Sequence, residues 1–343
     1  MFFFWLRTDV DILLTVVHVD DFAVASSSQK MIADFIKSLE LEYVVTVTRD
    51  VQHFLGMHIT ELSNRSHLLT QPGLLHKLFV KYPHIATLIK YPSVPMSSQF
   101  CDKIQNDSPR CDSHIFMELL GSLLYLVRTR PDIAYAVNRL AMRSQVSTEN
   151  DFNALLRVLA YLYDTRELGI TLQWCYTKPC DLHLQAWCDA SYATHSDGKS
   201  HTGYGFTFAG TDSGLFYSRS SKQTNVTLSS TEAELYAAVE ATKDTIWFRE
   251  LLAEIGFTQS QPTTIFVDNA SLITLASQYS GNHKRVKHFL VRLNFLIDQV
   301  NAGAIIFKKV PTELNTVDGL TKPLGPTDFI PKRNQLLGSS PSS

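Results

Sequence analysis

The chain has few cysteines, almost no net charge and no long hydrophobic run. Five cysteines occur in 343 residues. None forms a CxxC pair. Cys175 and Cys180 come nearest, and no second pair of Cys or His completes a zinc site. An odd count without a framework predicts a reducing compartment rather than a disulfide scaffold. The formal net charge is −2, so no global basic field draws the chain to nucleic acid, and any such binding must come from local patches. The candidates are His283-Lys284-Arg285 with Lys287-His288, and Lys308-Lys309. Runs of this kind are more often solvated faces; a place beside an acidic cluster would reverse that reading. No stretch reaches the roughly 20 apolar residues of a membrane span, which predicts no membrane partner. The apolar start, Met1 to Leu6, is too short for a signal-peptide core and acidic residues follow it. It reads as a buried strand, or as the start of a chain that begins in mid-domain.

What is present is an ordinary globular balance, 45% hydrophobic and 19% charged. The length suggests two or three domains. Residues 10–19 read as a strand, and residues 22–26 as a second, so Asp20 and Asp21 stand at a hairpin tip. A helix follows with Ser28 as its N-cap, then a strand pair and a short amphipathic helix. Residues 91–113, rich in Pro, Ser and Asp, read as loop. Two helical pieces separated at Pro131 come next, then a helix over DFNALLRVLAYLYDT with apolar residues at helical spacing. From residue 181 the pattern changes to three consecutive strands, a long helix, a strand, two helices, a strand and a turn. That order predicts a mixed five-stranded sheet with helices on its faces. Residues 325–343, rich in Pro, Gly and Ser, read as a loose tail.

Four carboxylates stand out in the last half: Asp189 in WCDASYA, Glu234 in SSTEAELYAA, Asp268 in IFVDNAS and Asp318 in NTVDGLTKPL. Each belongs to a different predicted element. Carboxylates converging from separate elements suit a two-metal phosphodiesterase site, where two divalent cations about 4 Å apart clamp a phosphate. Mg2+ prefers such oxygen ligands, and Mn2+ is possible. Glu232 competes with Glu234, but residues two apart on a helix point about 200° apart. Ser229 and Glu232 have capping-box spacing, so Glu234 is the favoured ligand. Helix capping is the structural alternative for Asp268.

The segments HVDDFAVAS, HFLGMHIT, ELLGSLLYLVRTRPDIAYAVNRLA, WCDASYA, SSTEAELYAA, VDNASLITLA, HKRVKH and VDGLTKPL carry a resemblance. In this order, over residues 10–325, they resemble the end of a copia-type retrotransposon polyprotein: part of a reverse transcriptase, then a ribonuclease H domain. The resemblance implies an α/β (α+β) chain. Residues 1–95 would be a partial palm and thumb, 96–180 a linker and helical connection, 181–325 the ribonuclease H-like domain and 326–343 a flexible tail. It implies hydrolysis of the RNA strand of RNA–DNA hybrids, with Asp189, Glu234, Asp268 and Asp318 holding two Mg2+ ions. One ion would activate water and the other would stabilise the leaving 3′ oxygen. Hybrid choice would come from 2′-hydroxyl contacts. Ser221, Lys222, Gln223 and Asn225 are candidates for the backbone contacts, although a polar loop explains them equally well.

The family's patterns are not met everywhere. Val317 stands where members usually have Ala before the fourth acid, and no His lies between Lys309 and Asp318. His283 and His288 belong to the copia pattern with no assigned role. His18-Val19-Asp20-Asp21 stands where relatives carry Tyr-x-Asp-Asp, whose two Asp bind metal with a third on an earlier strand. That strand would lie before residue 1, so polymerisation is not expected. The partners implied are the hybrid and other retroelement polyprotein parts, within an intracellular, cytoplasmic particle. A catalytically inactive retroelement relic that at most binds nucleic acid is the alternative.

Overall fold

In the computed structural model the chain is described over residues 2–62, 66–98, 108–173, 182–208, 213–277 and 290–338. Cys175, Cys180 and the basic run 283–288, with His283 and His288, lie outside the described residues.

Three sheets organise the described residues. The first holds β1 (Phe2–Arg7), β2 (Ile12–His18) and β3 (Asp21–Ser26), antiparallel in that order. His18 pairs with Asp21, so Val19 and Asp20 form the hairpin tip. Val19 takes φ 55, a conformation β-branched residues seldom adopt. The expected strand over the apolar start forms, but burial there was the wrong expectation: Phe4, Trp5 and Leu6 are exposed. Among the described residues little covers this sheet, and the helix Gln29–Glu40 beside it has no fully buried residue. Ser28 does stand at that helix's N-cap, without a side-chain capping bond.

The second sheet joins β4 (His53–Phe54), β5 (Met57–Glu61) and β6 (Ser66–Thr70) to β7 (Ile170–Gln173). Sequence reading misses β7, because four residues are too few to display alternation. Its partner is β6, with Leu69 opposite Ile170. Between them lie the helices Ser113–Leu126, Ala134–Ala141 and Glu149–Asp164. Phe116, Leu123, Val137, Leu155 and Leu159 are fully buried in the core these helices share. Pro131 separates the first two, as its missing N–H requires.

The third sheet has the order β10-β9-β8-β11-β12. β8 (Gln185–Ser191), β9 (His201–Thr207) and β10 (Tyr217–Lys222) are antiparallel, and β11 (Thr263–Val267) and β12 (Ile305–Lys309) run parallel to β8. This is the predicted mixed sheet. The long helix Ser230–Glu254 packs on it through Ala237, Ala238 and Ala241, all fully buried. Small residues there let helix and sheet approach closely.

Residues 326–343 are not a loose tail throughout. Pro326–Leu337 is a helix that buries Phe329, Lys332, Leu336 and Leu337. Pro326 suits the first helical turn, where its missing N–H costs nothing. Gly338 ends the helix in the left-handed conformation, φ 68. Leu336 joins a small core with Ala134, Trp187, Leu215, Val317 and Leu320. That core ties the helical segment, the third sheet and the C-terminal helix together.

Candidate metal centre

Alternation along β8 sends Ala186 and Cys188 into the main core of the third sheet and places Trp187 and Asp189 on the opposite face. Asp189 therefore lies within the strand rather than after it, 4% exposed and paired in register with Gly203. Gly203 has a spatial reason. A Cβ there would meet Thr321 Cγ2 at 2.7 Å, Leu320 Cβ at 2.8 Å and the Val317 carbonyl at 3.2 Å. Its absence admits the 3-10 turn Thr316–Leu320, which carries Asp318.

Glu234 and Glu232 part as helical geometry requires. Ser229 Oγ accepts from the Glu232 N–H at 3.1 Å, and Glu232 Oε2 accepts from the Leu228 N–H at 2.7 Å. Glu232 thus secures the start of the long helix. Glu234 Oε2 is buried with no hydrogen-bond partner. Asp268 follows β11 directly. The capping role falls to Asn269, whose Oδ1 accepts from the Ser271 and Leu272 N–H groups at 2.9 and 3.2 Å. Asp268 Oδ2 instead accepts from Thr312 Oγ1 at 2.9 Å.

Asp189, Glu234 and Asp268 each offer a carboxylate oxygen, and these oxygens lie within 4.8 Å of one another. Asp318 is outside that trio but beside it. Its Oδ1 lies 2.5 Å from Lys322 Nζ and its Oδ2 3.5 Å from Lys332 Nζ. Burial, then the charge of Asp318, pushes the Asp189 carboxyl up to about 6. Burial, then the charges of Asp189 and Asp268, lifts Glu234 well above the ordinary carboxylate range. Burial pulls the Lys322 ammonium down, but the Asp318 hydrogen bond and the surrounding carboxylates outweigh it and raise it. The cluster brings together carboxyls whose charged forms burial and mutual repulsion disfavour.

Asp20 and Asp21 are exposed on the first sheet, and among the described residues no third acid joins them in a metal-holding group. Of the loop candidates, Gln223 is not available to a ligand. It is 2% exposed and its amide donates to Thr202 Oγ1 and to the Ala233 carbonyl. Lys222 pairs with Asp197 at 2.7 Å. Sequence reading missed Thr312, Thr321 and Lys332, whose acid partners lie on other elements, and Lys322, which stands four residues from Asp318. Closeness in sequence to one of the four candidate acids was the one signal, and it pointed to Thr321 and Lys322, three and four residues after Asp318.

The retrovirus-related Pol polyprotein from transposon RE2 of Arabidopsis thaliana is 30% identical over 326 residues, which are 95% of this chain and 22% of that polyprotein. A putative transposon Ty5-1 protein of Saccharomyces cerevisiae is 30% identical over 227 residues, 65% of this chain and 71% of that protein. The chain belongs to the copia-type retrotransposon Pol polyproteins. The Pol polyprotein from transposon TNT 1-94 of Nicotiana tabacum is also 30% identical, over 90% of this chain and 23% of its own length. This copia-type chain thus spans about a fifth to a quarter of the long polyproteins it matches, 22% and 23%. No family model matches it. Among solved structures, an RNase H1 isolated from compost aligns with 40% of this chain and 92% of its own, at 15% identity and a TM-score of 0.32. A foamy viral protease-reverse transcriptase in complex with RNA/DNA hybrid aligns with 87% of this chain and 36% of its own, at 15% identity and a TM-score of 0.43. At these values the likenesses add nothing to the assignment. The five-stranded unit of this copia-type chain is the mixed sheet that the sequence pattern predicts, antiparallel on one side of β8 and parallel on the other.

Proposed function

We propose that this chain carries a ribonuclease H site that hydrolyses the RNA strand of RNA–DNA hybrids. The observation that carries the reading is the trio of buried Asp189 and Glu234 with half-buried Asp268, whose oxygens lie within 4.8 Å, with Glu234 Oε2 unpartnered. A buried carboxylate oxygen without a hydrogen bond is costly, and a divalent cation would satisfy it. These three residues, with Asp318 beside them, fit Mg2+ or Mn2+ by their all-oxygen chemistry. When bound, such ions supply an activated water and charge stabilisation for the phosphate oxygens.

The rest falls to the chain's own groups. Thr321 holds the Asp189 carboxylate at 2.6 Å and Thr312 holds that of Asp268 at 2.9 Å. Both hydroxyls fix the direction in which the acids present their free oxygens. Lys322 is a tethered cation among the acids, and at 39% side-chain exposure it is free to turn toward a phosphate. The β11–β12 register puts Lys309 beside Val267, one residue from Asp268. Lys308 and Lys309 are exposed, so they would serve as phosphate contacts.

The test uses the purified full chain and a labelled RNA–DNA hybrid, with double-stranded and single-stranded RNA as controls. With Mg2+ the RNA strand of the hybrid alone should be cut. Asp268→Asn should lower cutting by more than the roughly 10–100-fold that loss of an outer partner costs. A folded chain that binds the hybrid and cuts nothing would leave an inactive retroelement relic.

A further inference from the structure

The C-terminal helix Pro326–Leu337 lies beyond the span over which the copia-type segments run, yet it reaches the metal centre. Lys332 sits in its middle, and the residue is 5% exposed. Its ammonium donates to the Thr312 carbonyl at 2.8 Å, the Asn315 carbonyl at 3.1 Å and the Glu313 carbonyl at 3.3 Å. It also stands 3.5 Å from Asp318 Oδ2. A buried ammonium is stable only when its donors are all used, and here all of them are spent on one short stretch of backbone and one acid. That stretch is two successive 3-10 turns, Thr312–Leu314 and Thr316–Leu320. Neither has a long helical ladder of its own to hold it.

The stretch controls two of the four acids. Thr312 gives its carbonyl to Lys332 and its hydroxyl to Asp268. Asp318 is gripped directly, on the oxygen opposite the one that Lys322 takes. Lys322 is half in solvent and displaceable, while Lys332 is walled in, at 6% side-chain exposure. We propose that Lys332 is a positioning residue: one buried ammonium from the C-terminal helix sets Asp268, through Thr312, and Asp318 for metal binding. The proposal rests on the metal-centre reading above.

The experiment is Mn2+ titration of the full chain by calorimetry, beside hybrid cleavage. Lys332→Met keeps the length and removes the charge. Its Mn2+ affinity should fall about 10-fold or more, in the range that outer partners of metal ligands command. The sign is informative. If Lys332 acted only as a nearby positive charge, its removal would tighten Mn2+ instead. A Thr312→Val/Asp318→Asn background separates positioning from general support of the fold. There Lys332→Met should change Mn2+ affinity by less than about twofold, because the links it works through are already cut. An equal loss in both backgrounds, or tighter binding, overturns the proposal. Should Lys332→Met fail to fold, Lys332→Gln, which keeps an amide donor for the carbonyls and loses the charge, takes its place in both backgrounds: Mn2+ binding weakened only where Thr312 and Asp318 are intact supports the proposal, and unchanged, tighter or equally weakened binding overturns it. Mn2+ binding without hybrid cleavage by the unaltered chain would sink the ribonuclease reading and leave this one standing. No Mn2+ binding by the unaltered chain would sink both.

Discussion

Thr321 donates its hydroxyl proton to Asp189 Oδ2 at 2.6 Å, across 132 positions of sequence. The same hydroxyl lies 2.9 Å from the Asp318 carbonyl oxygen, so one small side chain joins the first acid to the turn bearing the fourth. Donation to a carboxylate favours its charged form, and Thr321, ahead of the Lys322 charge, opposes the upward push on Asp189.

Thr321→Val should therefore raise the Asp189 pKa further. The acid limb of the pH–rate profile for hybrid cleavage should move to higher pH, and activity near neutrality should fall about 10–100-fold. Thr321→Ser, which keeps the hydroxyl, should behave as the unaltered chain. An unmoved acid limb in the valine variant would mean that the bond does not tune Asp189.

The metal-free fold should lose stability as pH rises. Asp189 is pushed up to about 6, first by burial and then by Asp318, while its unfolded value is about 4. The folded state thus keeps a proton that the unfolded state releases. That contribution is full below about pH 4 and is lost as pH passes through about 6. Melting in EDTA across pH 4 to 7 should show a decline that Asp189→Asn lessens, buried Glu234 supplying the remainder, and Mg2+ should restore the unaltered chain above pH 6. Parallel melting curves for the two proteins would count against the assignment.

Gly203→Ala should cost about 1–3 kcal/mol, because overpacking a filled site forces backbone shifts. The Cβ would meet Thr321 Cγ2 at 2.7 Å, Leu320 Cβ at 2.8 Å and the Val317 carbonyl at 3.2 Å. Since those groups carry the Asp318 turn, Mn2+ affinity should drop along with the urea midpoint. A neutral substitution would show that the turn has room to move.

Asp132→Ala should cost about 3–5 kcal/mol, measured by urea unfolding, because it strands a buried cation. Arg130 and Asp132 are 1% and 2% exposed and pair through two hydrogen bonds of 2.9 and 2.7 Å. Tyr161 Oη donates to the same carboxylate at 2.6 Å. This network lies in the helical core and not in the metal centre, so Mn2+ affinity of the folded variant should stay unchanged.

Local pattern carried much of the fold. Alternation in LQAWCDA, small residues along SSTEAELYAA and the Pro131 break each act over a few residues, and the structure has the elements they predict. Other features lay beyond local reach. β7 is four residues long and takes its identity from β6, about a hundred positions earlier. The Pro326–Leu337 helix carries Pro and polar residues between Gly325 and Gly338 that read as a tail, and it exists because Phe329, Leu336 and Leu337 find buried places. Gln223 has the look of a surface loop residue, yet it is enclosed and bonded to two neighbouring elements.

The sequence by itself determined which residues are acids, which elements carry them and, by helical phase, that Glu232 and Glu234 serve different ends. Only the tertiary structure decided that Asp189, Glu234 and Asp268 meet within 4.8 Å while Asp318 stands apart with Lys322 and Lys332. The physical reason is range. Side-chain period and capping are set by neighbours along the chain. The contacts of Thr312, Thr321 and Lys332 depend on how packed elements bring distant positions together, and no local pattern encodes that distance.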